Sequence, residues 1–264
     1  MDYYYITGVS RGLGRALADR LLERTDSAVI GLGRTSTIAS PHFQHVQLDL
    51  SDLDAVCQFA FPPNRGARRL VLVNNAAAFT PKRLGRVDPR TIVHDYHVNL
   101  VAPTLLINSF IQAYSAHTAD KQIVNITSLA GSALFDGLPV YSASKAGINM
   151  VSRVADLEQK LGAGRIRVLA VDPGGVDTDM QAAARAADAH DFSRVEAFVE
   201  SKESGRLADP EIVAEKVWRL IDDLSLTTDV VVSVFDVVLP VRERPVRANT
   251  QVQAEEKTGS AQSS

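Results

Sequence analysis

The feature that most restricts how this chain can fold is a glycine-rich turn set between its first strand and its first helix. Residues 3–7 are aromatic and β-branched, as a strand should be, and run straight into Thr7-Gly8-Val9-Ser10-Arg11-Gly12-Leu13-Gly14. Leu13, Leu17 and Leu21 then recur on one face of a helix. Gly8 allows a sharp turn, Gly12 leaves room for backbone to approach a pyrophosphate, and Gly14 lets helix and strand pack closely. Ser10, Arg11 and Leu13 complete a loop whose helix end offers free N–H donors and the positive end of a dipole to phosphate. The spacing Gly-x-x-x-Gly-x-Gly is not the commoner Gly-x-Gly-x-x-Gly, and glycine-rich turns occur in many α/β proteins. Its force comes from its place between strand and helix.

The same alternation continues along the chain. Further strands are predicted at 28–32, 45–48, 70–74, 122–127, 166–171 and 230–235. Helices are predicted at 13–24, after an N-cap at Ser51, at 89–115 with a bend or break at Pro103, at 141–161 and at 212–224. Strand–helix alternation implies a single Rossmann-type α/β domain over 1–239. Its sheet is expected to be doubly wound, seven-stranded and mostly parallel, with helices on both faces. Two stretches break the rhythm. Residues 174–206, Ala-rich and polar, follow a strand end and read as a mobile lid; 240–264, rich in proline, charge and small polar residues, read as a disordered tail.

Bulk properties narrow the partners. A net charge of −3 gives no electrostatic reason to expect nucleic acid or an anionic membrane. No apolar run reaches the ~20 residues of a membrane span. The first strand begins at Tyr3, which leaves no room for a signal peptide, so a cytoplasmic setting is expected. Cys57 is the one cysteine; it can form no internal disulfide and reads as a small, partly buried apolar side chain, and no cluster resembles a metal site.

Which dinucleotide the loop would take is indicated by the second strand. An acid there would bind a ribose 2′-hydroxyl, but the strand ends Gly31-Leu32-Gly33-Arg34. Arg34 can pair with a 2′-phosphate, and Arg11 can approach the same group, which favours NADPH over NADH. The plainer alternative is two solvated surface arginines.

Tyr141-Ser142-Ala143-Ser144-Lys145 opens a predicted helix and sets Tyr141 and Lys145 on one face. An adjacent ammonium is expected to lower the phenol pKa, so that Tyr141 can protonate a carbonyl oxygen as hydride reaches its carbon. Tyr-x-x-x-Lys also occurs by chance, as a packed tyrosine beside a solvated lysine. Ser128, directly after the strand at 122–127, can hold the substrate oxygen beside Tyr141. Asn99, a poor helix former inside an apolar helix, suits a water-holding or helix-bending role near Lys145.

Over residues 3 to 236 the chain resembles the short-chain dehydrogenases/reductases. The resemblance rests on the loop from Thr7 to Gly14, Asp49-Leu50, Leu72-Val73-Asn74-Asn75-Ala76, the set Asn99, Ser128, Tyr141 and Lys145, and Pro173-Gly174-Gly175-Val176-Asp177-Thr178. It implies that Asp49 and Leu50 contact adenine and that Asn75 belongs to the fourth-strand motif. Pro173, Gly174, Val176 and Thr178 would close on the nicotinamide. Tyr141 would be the acid/base, Lys145 would also hold the nicotinamide ribose, Ser128 would orient substrate, and Asn99 would support a proton relay through water. Ala77 stands where the family motif usually has glycine, tolerable if its φ is negative. The helices starting near Pro89 and Tyr141 would pair in a homodimer.

Within the family the chain is similar to the sepiapterin reductase and benzil reductase group, which uses NADPH to reduce pterin side-chain ketones or α-dicarbonyls. Sepiapterin enzymes anchor the pterin with an acid on the last strand; here Ser233 takes that place and Asp236 falls out of register, which favours a small-molecule ketone or α-dicarbonyl. Leu134, Phe135, Met180 and Phe192 are candidate pocket walls. The alternatives are a carrier-bound 3-oxoacyl reductase, disfavoured by the acids Asp177, Asp179, Asp188, Asp191, Glu196 and Glu200 near the pocket, and a catalytically silent NADPH-binding sensor, disfavoured by the complete set of four.

Overall fold

A computed structural model of the chain describes residues 1–162 and 165–237. The tail expected at 240–264 lies outside these residues. Seven strands, β1 (Asp2–Thr7), β2 (Ser27–Gly33), β3 (Phe43–Gln47), β4 (Arg69–Asn74), β5 (Asp120–Ile126), β6 (Ile166–Asp172) and β7 (Val231–Ser233), form one sheet in the order β3-β2-β1-β4-β5-β6-β7. Every pairing is parallel, so the expected doubly wound sheet is all parallel rather than mostly so. The central strands are buried on both faces, which explains the apolar runs at 70–73 of β4 and 168–171 of β6, while β5 buries Gln122 and Asn125 with hydrogen bonds to the Ile221 carbonyl and Ser152.

Helices α1 (Gly12–Leu22) and α8 (Pro210–Asp222) cover one face, joining Leu17, Leu21, Val213 and Val217 to the inward side chains of the sheet. Helices α2 (Leu53–Gln58), α4 (Ala102–Tyr114) and α5 (Pro139–Leu161) cover the other, with Leu106, Phe110, Tyr114 and Ile148 in its core. Each fully buried side chain of this size contributes about 1.5–3 kcal/mol of hydrophobic stabilisation. α3 (Pro89–Tyr96) precedes α4 on the same connection, while α6 (Asp179–Arg185) and α7 (Val195–Glu203) lie in the connection after β6.

Several local expectations need correcting. The N-cap of α2 is Asp52, which accepts from the Ala55 N–H; Ser51 instead donates to Asp49 through its N–H and its hydroxyl. The helix expected at 89–115 is broken before Pro103, by a π-helical turn at His97–Val101. Pro103 sits in the first turn of α4, where its missing N–H costs no helical bond. The last strand is only three residues long, because Ser233 caps a 3-10 turn, Val234–Asp236, and ends the pairing. Cys57 is exposed.

Candidate active site

The strand order reverses between β1 and β4, and there the loops after these strands part to form a cleft of about 800 Å³ at the carboxyl ends of the sheet. Gly8, Ser10, Arg11, Gly12 and Leu13 form one side. Gly8 and Gly12 have φ of +73° and +59°, the left-handed region that glycine enters without penalty. No side chain caps α1, so its first-turn N–H groups remain available at the cleft. Gly14 does not line the cleft, contrary to expectation. A Cβ there would fall 2.3 Å from both the Gly8 carbonyl and Asn75 Nδ2, so this glycine seats the loop rather than touching a ligand. Asn75 lines the cleft while donating to the Thr7 and Gly8 carbonyls, and Thr7 Oγ1 accepts from the N–H groups of Asn75 and Ala76. Ala77 has no positive φ and meets the condition set for replacing glycine.

Arg34, Asp49 and Leu50 line the far wall. Arg34 is exposed, and no ion pair of its guanidinium occurs among the described residues. Hydrogen bonds from Ser51 hold the Asp49 carboxyl below the usual range, with a smaller contribution from Arg34. Arg11 does not turn toward Arg34; its Nε pairs with Asp179 of α6 at 3.2 Å, both side chains being well exposed. Pro173, Gly174, Val176 and Thr178 close the cleft from the β6 side, and Thr178 lies over Gly12.

Ser128, Tyr141 and Lys145 meet at the inner end. A buried chain of hydrogen bonds fixes α5 to the sheet: Asn74 donates to Asn125, Asn125 to Ser152, and Ser152 to the Ile148 carbonyl. This sets Tyr141, 8% exposed, and Lys145, 3% exposed, against the ends of β4 and β5. Lys145 Nζ donates to the Ile126 carbonyl at 2.8 Å and stands 5.5 Å from the Tyr141 ring centre. Burial lowers its pKa to about 8. The expectation that an ammonium lowers the phenol pKa is not met: burial pushes Tyr141 up to about 12, Ser128 lowers it, and Asp172 raises it further. Desolvation disfavours both charged forms and is the largest cause at each. The Tyr141 hydroxyl donates to Met180 Sδ at 3.6 Å.

Asn99 does not line the cleft. It lies in the π-helical turn, and its side-chain amide clamps Ala78, accepting from its N–H at 2.7 Å and donating to its carbonyl at 2.9 Å. The side chain therefore fixes the cleft wall at Ala78.

Of the expected apolar walls, Phe135 and Met180 face the cleft; Leu134 is almost fully exposed and Phe192 is fully buried behind it. Phe79, Leu138 and Phe198 were missed. Phe79 packs edge-on against Tyr141 at 5.1 Å between ring centres. It sits in an irregular loop, where no periodicity marks its direction.

The topology, the glycine-rich loop after β1 and the cleft at the switch point define a Rossmann-type fold. The chain belongs to the short-chain dehydrogenase family: the family's profile, described as "short chain dehydrogenase", matches residues 3–189. It is therefore a member of an oxidoreductase family. It is 34% identical over 230 residues to a benzil reductase ((S)-benzoin forming) of Bacillus subtilis (strain 168), covering 84% of this chain and 94% of that one. It is 29% identical over 243 residues to the sepiapterin reductase of Bos taurus, covering 83% and 88%. Among solved structures, a candidate NAD(P) dependent gluconate 5-dehydrogenase from Beutenbergia cavernae with bound NADP superposes with a TM-score of 0.70 at 27% identity, covering 88% and 94%.

Proposed function

We propose that the chain, as one reductase domain spanning 1–239, is a cytoplasmic NADPH-dependent carbonyl reductase that converts an apolar ketone or α-dicarbonyl to an alcohol. The observation that carries this reading is the packing of Tyr141 in an apolar cluster with Leu138, Phe79, Phe135, Met180 and Phe198, beside Lys145. A pterin substrate is disfavoured because Ser233 and Asp236 are engaged in a reciprocal capping box and neither lines the cleft. A carrier-bound acyl group is disfavoured because four nearby cations, Arg11, Arg86, Lys202 and Arg206, are already paired with Asp179, Asp188, Asp191, Asp177 and Glu200.

The cradle fits the cofactor: Gly8 and Gly12 turn the loop at positive φ, the α1 N–H groups face it, and the free guanidinium of Arg34 matches a 2′-phosphate. Bound NADPH supplies the hydride and its two electrons. Ser128 holds the carbonyl oxygen, and the Tyr141 hydroxyl delivers the proton to it, leaving a phenolate. Burial pushes the Tyr141 pKa up to about 12, and the Lys145 ammonium, 5.5 Å from the ring centre, is the nearby charge that would stabilise that phenolate.

A pH dependence follows. Lys145, with a pKa of about 8, is charged below that pH and loses its proton above it, whereas Tyr141 stays protonated throughout. Reductive kcat/KM is expected to fall as pH rises through about 8. In Lys145→Arg, whose guanidinium stays charged, that limb should disappear. A limb that survives in the arginine variant would assign it to another group.

The homodimer reading is supported by Met150, Val154, Leu157 and Leu161, exposed apolar residues along one stripe of α5. Light scattering should give a dimer mass for the wild type and a monomer mass for Leu157→Glu; a wild-type monomer would refute the pairing.

A further inference from the structure

We infer that Asp191 is a positioning residue for substrate: its carboxylate ties the β4–α3 loop to its own loop between α6 and α7, whose backbone in turn packs on the β5–α5 loop, and the β4–α3 and β5–α5 loops carry Phe79, Phe135 and Leu138 of the cleft wall. This rests on the reductase reading above. Asp191 lies between α6 and α7, and its side chain is 3% exposed. Its Oδ1 stands 3.1 Å from Arg86 Nη1 and 3.9 Å from Arg83 Nε, in ion-pair range but without the alignment of a hydrogen bond. Both arginines belong to the β4–α3 loop, which also carries Phe79. Arg86 reaches Asp188 as well, at 3.6 Å.

The backbone at Asp191 engages the second loop. Gly137, between β5 and α5, has φ of +70° and approaches so closely that a Cβ would lie 2.3 Å from the Asp191 carbonyl. Its neighbour Asp136 accepts from the N–H and the hydroxyl of Ser193, at 2.9 and 2.8 Å. This loop carries Phe135 and Leu138, and the Arg194 guanidinium covers the Phe135 ring at 4.5 Å. The third loop is that of Asp191 itself, whose neighbour Phe192 is fully buried in the cluster containing Tyr141.

A carboxylate this buried persists only with countercharge, so the ion pairs and the loop convergence require one another. Neither Asp191 nor Arg86 lines the cleft, and the carboxylate acts through the walls it holds. Loss of the carboxylate should therefore weaken substrate binding and leave NADPH binding and proton delivery in place.

The test compares wild type with Asp191→Asn, Arg86→Gln and the double variant, using benzil as substrate. The expected result is a rise in KM of about tenfold in each variant, with kcat within about threefold and NADPH affinity unchanged. The double variant should be no worse than the more affected single one, since both break one clamp. Hydrogen exchange should quicken together in 79–87 and 188–194, and not in 8–14. Unchanged KM in both single variants, or exchange that quickens in one loop alone, would overturn the proposal. Should Asp191→Asn fail to fold, Arg86→Gln, half-exposed at its side chain, carries the same test. If the wild type reduces no diketone, the reductase reading fails and exchange alone decides the clamp: coupled quickening upholds it, independent quickening refutes it.

Discussion

Tyr141→Phe should lower the turnover of an α-diketone by about a thousandfold while leaving NADPH affinity within about twofold of wild type. The substitution keeps the ring, and with it the edge-on contact to Phe79 and the packing in the cleft, and removes one hydroxyl. That hydroxyl is the proton donor in our account. Its partner in the structure is a thioether, Met180 Sδ, a weak acceptor that a carbonyl oxygen would readily replace. The fold should tolerate the change, because the ring and its packing are kept. Steady-state kinetics with benzil, beside a fluorescence titration of NADPH, checks both halves. A variant within tenfold of wild type would remove Tyr141 from proton delivery.

The second large effect is expected at Arg34. Arg34→Asp should reverse the cofactor preference, changing the ratio of kcat/KM for NADPH over NADH by about a hundredfold or more. Losing a charge-assisted pair with a phosphate removes roughly 1.5–3 kcal/mol, and the new carboxylate adds repulsion. Arg34 qualifies because it stands exposed on the cleft wall beyond Gly33. Arg11 is the internal control. It is already paired with Asp179 across the cleft, at an exposed site where such pairs are weak, so Arg11→Ala should change the ratio only a few-fold. Equal effects at the two positions would contradict the assignment, as would a wild type indifferent to the 2′-phosphate.

Both predictions begin from residues legible in the sequence, and it matters why. The glycine loop, the buried strands and Tyr141-x-x-x-Lys145 are written in short-range patterns: a turn between two elements, a continuous apolar run, a four-residue spacing on one helix face. Such patterns survive folding unchanged, and the structure places them as expected. What sequence could not disclose depends on the third dimension. The break before Pro103 is a π-helical turn that holds Asn99 against Ala78, two segments distant in sequence. Phe79 is aimed at Tyr141 by an irregular loop. The reversed order of acidities, with Tyr141 raised and Lys145 lowered, comes from burial of the pair, which no spacing reports. Asp191 could be counted in the sequence as one acid among six near the pocket; its role comes from two arginines a hundred residues upstream. The short last strand is a local matter that was misjudged, because the Ser233–Asp236 capping box ends an otherwise convincing β-branched run.

The central claim is that this cleft reduces an apolar dicarbonyl with NADPH. The most direct measurement follows NADPH absorbance with purified wild-type protein and benzil, against a pterin ketone and a carrier-bound 3-oxoacyl group. Consumption of NADPH with benzil is expected, with accumulation of the hydroxyketone in equal amount and slower turnover of the other two substrates. Protein that binds NADPH yet oxidises none of it with any of the three would contradict the account and leave a nucleotide-binding sensor on a reductase fold.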